Sequence, residues 1–496
     1  MTCCIFRSQT LCALLVLTVS AVATAAETTT VGVVQVSIPP KVGGIQSAAP
    51  LALVDLPKSE FIEQEFFIGG KAARYRNDGT WTSDGRWNIK PRGQEAYTTR
   101  IIVRRPTDAK RFNGVVLVEW LNVSRGYDAD STYAQLWPLL LREGYAWVGV
   151  SAQKGGIDAL KASVGDPVRY ASMKSGSTDG FSYDIYSQVA NAVRTQPDVL
   201  LGGLRVRHVF AIGTSQSAGR LVTYVNAIHP LARVFDGFLI HARSGAGAPL
   251  DNVLGVASSA STGDTVAVPA PSKIRTDVNV PVFVVNSETD APGYFPARQP
   301  DSAKFRYWEV AGSAHAPRFR NIYSNGQVGL PLESEACELP ANDMPFHHVL
   351  QAALAHLTNW TMKGALPPSL PKLDVAGDPL QVRRDAHGNA VGGIRLPEMN
   401  VPIARYAPRA EMTSQDPVLR VVCPLAGSVE YWTNSARAGS SAGSWAQPSL
   451  KALYLDHDDY VGKFTRSARE AVSAGYVLEP SAKESMERAN RSAVGK

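Results

Sequence analysis

From Tyr97 to Trp360 the chain alternates short β-branched apolar runs with stretches whose apolar positions recur at helical spacing. Residues 101–103, 115–121 (VVLVEWL), 145–150 (YAWVGV), 209–212, 235–240, 280–285 and 305–310 read as strands. The run 115–121 is apolar on both faces, so it is no edge strand. Residues 182–194 read as a helix, with Ile185, Val189 and Val193 on one face, and 218–228 and 349–361 read the same way. Buried strands alternating with helices predict an α/β fold, a mostly parallel sheet with helices on both faces.

Two long interruptions break this rhythm. Residues 151–181 are rich in Gly, Ser and Lys, and 243–276 in Ala, Ser, Gly and Pro. Both follow strands, so they fall at the sheet's C-terminal edge, where open α/β sheets bind ligands, and they are expected to form pocket walls. The core is expected over 96–364, after a β-rich segment at 27–95. A C-terminal extension at 365–496 begins Pro- and Gly-rich, turns at 384–389, ends in one or two helices from Asp459, and is expected to pack on the core. No internal repeat is present.

Composition narrows the class. Of 496 residues, 45% are apolar and 19% charged, a globular balance that excludes a disordered or fibrous chain. The net charge of +6 is spread over single or paired basic residues such as Arg104-Arg105 and Arg383-Arg384, which excludes a nucleic-acid surface. Residues 11–23 form an apolar run behind Arg7 and ahead of Ala23-Thr24-Ala25. That pattern predicts a signal peptide over 1–26, cut after Ala25 or Ala26, and a periplasmic or secreted product. No later stretch is long and apolar enough to span a membrane. Cys3, Cys4 and Cys12 leave with the leader. Cys337 and Cys423 remain, either as a disulfide or as two buried thiols.

The chemistry concentrates in His208-Val-Phe-Ala-Ile-Gly213-Thr-Ser215-Gln-Ser217-Ala-Gly219-Arg220, which reads strand, abrupt small-residue turn, helix. A nucleophile elbow needs that context, with small residues two before and two after the nucleophile. Ser215 and Ser217 both satisfy it. Gly213, directly after the apolar strand, favours Ser215. In this sheet type the acid and then the histidine follow the serine. His208 and His229 sit at the wrong ends of their elements. His347, His348 and His356 fall in or just before a helix, and His387 and His457 in polar turns. His241 ends a strand and is expected to line the pocket, but it precedes every acid candidate. His315 follows the strand 305–310 through Ala311-Gly312-Ser313-Ala314, on the edge that carries Ser215. It can accept the serine proton and return it to the leaving group. The acid belongs to Asn286-Ser287-Glu288-Thr289-Asp290. Asp290 is favoured for its freedom to turn toward His315, and Glu288 is the near rival. The oxyanion donors are expected on the backbone of Gln216 and on the segment Asn122-Val123-Ser124, with Val123 at its centre. Asn122-Val-Ser124 also matches a glycosylation sequon, read as accidental because a sugar there would block the site.

Several segments together, GTSQSAGRLVTYVNAIHP, VFVVNSETD, WEVAGSAHA, VEWLNVSRG and RDAHGNAVGGIRLP, resemble the α/β-hydrolase domain family of large serine hydrolases, whose elbow takes the form Gly-x-Ser-Gln-Ser. The similarity runs from about Thr99 to near the C-terminus. It implies the α/β-hydrolase fold, with Ser215 as nucleophile and His315 as base. It leaves Glu288 and Asp290 undecided and names no substrate.

The expectation is an exported serine hydrolase acting on a small-molecule carboxylic ester without a cofactor. The same triad would serve a lactonase or amidase. The rival from another class is a non-catalytic exported binding protein in which Ser215 merely caps a helix. Gly245-Ala-Gly247 lacks a third glycine and meets Pro249, so it is no dinucleotide loop. Asp456-His457-Asp458-Asp459 suits a helix entry better than a metal site. Without a Cys-x-x-Cys pair, a structural zinc is not expected. Trp81, Trp87 and Tyr183 are expected in core packing or on an apolar pocket wall.

Overall fold

The computed structural model describes Met1 and residues 31–40, 54–162, 166–251, 268–325, 337, 339–410, 419–437 and 445–496. Apart from Met1, the expected leader lies outside the described residues, as do its cleavage point, Cys3, Cys4 and Cys12, and residues 252–267 of the second interruption.

Among the described residues nine strands form one sheet: β1 (Gln35–Ser37), β2 (Phe61–Asn77), β3 (Ile89–Pro106), β4 (Val115–Trp120), β5 (Ala146–Val150), β6 (His208–Thr214), β7 (Gly237–His241), β8 (Val282–Ser287) and β9 (Phe305–Val310). Their order is β1-β2-β3-β5-β4-β6-β7-β8-β9. From β5 to β9 every pairing is parallel, and β1 to β3 join the β5 edge antiparallel. All residues of β4, β5, β7, β8 and β9 are buried, as parallel strands covered on both faces require.

The helices that matter below are α1 (Tyr133–Glu143), α2 (Lys154–Lys161), α3 (Ser182–Thr195), α4 (Gln216–Thr223), α5 (Arg318–Asn325), α6 (Phe346–Lys363), α7 (Leu419–Ala426), α8 (His457–Ser473) and α9 (Glu479–Arg491). Strand alternation divides the core in two. Val116, Val118 and Trp120 of β4 face the layer of α3, with Tyr186, Val189 and Val193. Val115 and Leu117 face the other layer, with Leu136 and Leu140 of α1 and Val349, Ala353 and Leu357 of α6.

Three departures from the sequence reading have physical causes. Strands β2 and β3 form a hairpin far longer than the short strand expected at 101–103. The first half of β3 is largely exposed and holds Pro91 and Gly93, so no apolar alternation marks it. The interruption 151–181 contains α2, whose Ile157 and Leu160 pack on Phe67, Tyr170 and Met173 in a small satellite core. Helix α4 opens at Gln216, directly after the elbow, and widens into a π-turn over Tyr224–Ile228.

The C-terminal extension meets the core through backbone bonds. The Ala311 N–H donates to Ile394 O and the Ile394 N–H to Glu309 O, at 2.9 and 2.7 Å. Cys337 and Cys423 form a disulfide with Cα atoms 5.8 Å apart. Trp81 and Trp87 stack at 4.5 Å and belong to the core, as does Tyr183. Asp456 caps α8 by accepting the Asp459 N–H at 2.8 Å. Among the described residues no helix is long and apolar enough to cross a membrane.

Candidate active site

Ser215 stands between β6 and α4 with φ 59° and ψ −118°. A non-glycine residue in that region carries about 1–3 kcal/mol of backbone strain, which only a tightly determined turn sustains. The turn is tight on one side. A Cβ on Gly213 would come within 3.0 Å of Leu221 Cδ1 and 3.2 Å of Ser217 Cβ, whereas one on Gly219 would meet its neighbours at ordinary distances. The Ser215 N–H donates to His241 O at 3.2 Å, which ties the elbow to β7. Ser217 is wholly buried, and among the described residues its hydroxyl has no hydrogen-bond partner. The two serines that the sequence left close are thus separated by geometry, and Ser215 is the one that meets the histidine.

His315 lies in the loop after β9. Its Nε2 is 2.9 Å from Ser215 Oγ, and its Nδ1 is 2.7 Å from Asp290 Oδ1. Asp290 follows β8, and Ser287 Oγ donates to its other oxygen at 2.6 Å. With Nδ1–H donating to the carboxylate, Nε2 keeps its lone pair for the serine proton. Glu288 points elsewhere. Its Oε2 accepts the Gly312 N–H at 2.7 Å, and its Oε1 pairs with Arg384. Burial pushes the Glu288 carboxyl up, against the pull of Arg384 and the Gly312 N–H.

At the end of β4, the Asn122 N–H donates to Ala129 O and the Ser124 N–H to Asn122 Oδ1, each at 2.9 Å. Of these three backbone donors, the Val123 N–H is the one that no acceptor among the described residues takes. The Gln216 N–H, in the first turn of α4, is likewise outside the helix's own bonding. Asn122 Nδ2 donates inward to Thr214 O at 3.0 Å, so the atom that would carry a sugar is already engaged.

His241, expected to line a pocket, is instead wholly buried. Its Nε2 lies 3.2 Å from Thr132 Oγ1, and burial pushes its imidazole well below the ordinary range. The sequence reading also missed three supporting residues. Arg320 donates to His315 O at 3.2 Å and to Ser131 Oγ at 3.1 Å, and burial lowers its guanidinium to about 10. Gln153 Oε1 accepts from Gln216 Nε2 at 2.8 Å and from Trp120 Nε1 at 3.0 Å. Asp179 accepts from Gln153 Nε2 at 3.0 Å and from Arg220 Nη2 at 2.9 Å, which fixes the side chain of the residue after the elbow. No spacing rule points to them: Gln153 precedes α2, Asp179 precedes α3 and Arg320 lies on α5, so only the fold brings them to the site.

A covered parallel sheet with a serine at positive φ on a strand-to-helix turn is the architecture of the α/β hydrolases. The chain belongs to the alpha/beta hydrolase domain family, whose model matches residues 28–487. Among solved structures it is similar to a fungal esterase from Rhizomucor miehei, at 13% identity over 60% of this chain and 85% of that one, with a TM-score of 0.31. An alpha-beta serine hydrolase homologue from Coxiella burnetii is similar at 11% identity over 44% of this chain and 84% of that one, with a TM-score of 0.25. No curated protein matches the sequence.

Proposed function

We propose that the protein is an exported serine hydrolase that cleaves a carboxylic ester through an acyl-enzyme. The observation that carries this reading is the continuous chain Ser215 Oγ, His315 Nε2, His315 Nδ1, Asp290 Oδ1, with links of 2.9 and 2.7 Å. Ser215 Oγ attacks the ester carbonyl as His315 Nε2 takes its proton. The Gln216 and Val123 N–H groups receive the oxyanion. Collapse breaks the bond to the alkoxide, and His315 returns the proton to the departing alcohol. Water, giving a proton to His315, then attacks the acyl carbonyl, and as the bond to Ser215 Oγ breaks His315 returns that proton to the serine, freeing the acid and the enzyme. Asp290 holds the ring in the required tautomer and stabilises the imidazolium. Each step uses groups of this chain.

Export is supported by the apolar run at 11–23 and by the Cys337–Cys423 disulfide, a bond that persists in oxidising compartments. Intact mass of exported material is expected to begin at Ala26 or Glu27.

A fluorophosphonate probe tests the chemistry. The wild-type chain and Ser217→Ala are expected to take the label, and Ser215→Ala is expected to take none. A folded wild-type protein that stays unlabelled, and turns over no ester in a panel of varied acyl length, sinks the proposal in favour of a non-catalytic binding protein.

A further inference from the structure

At the start of α6 stand two adjacent histidines that carry no role in the Ser215 site. His347 is buried, and among the described residues neither of its ring nitrogens has a hydrogen-bond partner. That is unusual, because a buried polar atom left unpaired costs roughly 1–3 kcal/mol and buried side chains nearly always avoid it. Its ring lies flat on Phe319 of α5, with centroids 3.6 Å apart and planes 5° from parallel. His348 is buried beside it, the two rings 4.3 Å apart at 62°. His348 Nε2 is 3.4 Å from Glu484 Oε2 of α9, close enough for an ion pair yet outside hydrogen-bond geometry. One ligand atom from each of His347, His348 and Glu484 lies within 4.8 Å of the other two.

We propose that His347, His348 and Glu484 bind a divalent transition-metal ion of the zinc class, at a site separate from the Ser215 centre. Two neutral imidazoles and one carboxylate suit zinc and its neighbours, whereas calcium and magnesium select all-oxygen shells. Zinc–ligand bonds of about 2.0–2.1 Å place tetrahedral ligand atoms about 3.4 Å apart. The His348–Glu484 pair already has that separation, the His347 ligand atom lies within 4.8 Å of both, and the Glu484 side chain, 65% exposed, is free to follow small ring rotations of the histidines. Water completes the shell from the solvent side of Glu484. An ion pair between His348 and Glu484 alone would leave both His347 nitrogens unexplained, and a metal removes that orphan.

The surroundings are compatible with a cation. Arg488, whose charge reaches His347 and Glu484, is committed to Glu398. The other histidine-and-acid cluster shows the contrast. Both ring nitrogens of His457 are spent on backbone carbonyls, on Val494 O at 2.8 Å and Asn490 O at 3.1 Å, so it offers no ligand atom. The proposed ion would brace α9 against the N-terminus of α6 and the aromatic face of α5. It stands independently of the esterase reading.

The test is a zinc titration of the full, tag-free chain after chelator treatment, followed by calorimetry. One equivalent is expected to bind with micromolar or tighter affinity, and cobalt in its place is expected to give visible d–d bands. His348→Ala and Glu484→Gln are each expected to weaken zinc binding about tenfold or more, while Ser215→Ala binds as the wild type does. Glu484 is exposed, so its variant keeps the fold even if His348→Ala does not. No stoichiometric binding by the wild type, or binding unchanged by these substitutions, overturns the site and leaves the hydrolase proposal where it was.

Discussion

Thr289 Oγ1 accepts the backbone N–H of His315 at 3.0 Å, while the next residue, Asp290, takes the ring of the same histidine at 2.7 Å. One turn after β8 therefore holds His315 by both backbone and side chain. The Thr289 hydroxyl itself donates to Pro408 O at 2.6 Å, which passes the restraint to the C-terminal extension. Thr289→Val keeps the shape and removes the oxygen. It leaves a buried N–H unpaired, so we expect a loss of roughly 1–3 kcal/mol in denaturant unfolding, with a fall in kcat larger than any change in KM. Wild-type kcat in a destabilised Thr289→Val would show that the bond steadies the loop without positioning the ring.

The two carboxylates of the Ser-Glu-Thr-Asp turn are expected to fail in different ways. Asp290→Asn should fold and melt like the wild type but lose about 10⁴-fold in turnover, through the wrong tautomer. Glu288→Gln should retain most turnover but lower the melting temperature, because Arg384 loses its buried partner. Removing one member of a buried pair costs about 3–5 kcal/mol where both are fully buried, and Arg384 is partly open, so the lower end is expected. Parallel kcat and Tm measurements decide it, and the reverse pattern would move the acid role to Glu288.

Acid should destabilise the protein partly through His229. Burial lowers its imidazole to about 4, and its Nε2 lies 3.2 Å from Asn279 Oδ1. The unfolded chain binds this proton below about pH 6.5, the folded chain only below about 4. Stability from this residue is therefore complete above 6.5 and is lost as pH falls toward 4. One such group contributes a slope of up to about 1.4 kcal/mol per pH unit in that window. His229→Gln is expected to flatten the wild-type dependence there by that share, read from urea unfolding at several pH values. An unchanged slope would mean that His229 titrates alike in both states.

Reduction of Cys337–Cys423 should be felt at the site as well as in stability. The bond closes a separation of 86 residues, for which chain-entropy reasoning gives about 4.6 kcal/mol. Cys423 lies two residues before Leu425, whose carbonyl accepts the Ala316 N–H at 2.8 Å, beside His315. Reductant, or Cys423→Ser, is expected to lower the unfolding midpoint and to weaken ester turnover at temperatures where the chain is still folded. Equal midpoints with and without reductant would deny the bond any structural role.

The parallel strands and the elbow were legible because their signals are local. An apolar run such as 115–121 can only be a covered strand, and Gly213 before Ser215 reports crowding within one turn. His315 and Asp290 were legible because both fall just after strands on one sheet edge. The same logic failed for β2, whose buried run is broken by Gly69-Gly70, for the open first half of β3, and for α2, which hides among glycines. It failed also for Gln153, Asp179, Arg320 and the inward-turned His241. Their roles depend on which distant segment packs beside them, and no single stretch of sequence states that.

The clamp on the His315 turn also has an order in time. Ser215, Asp290 and His315 are all synthesised before α6 is complete, but the groups that fix their turn arrive later: Arg384 for Glu288, Ile394 for Ala311, Pro408 for Thr289 and Leu425 for Ala316. A nascent chain ending at Lys363 holds every reacting group and none of these restraints. On the proposed function, the chain as far as Leu425 must be made and docked before the His315 turn is fixed, so a chain truncated before these residues is expected to carry the nucleophile beside an unsteadied histidine.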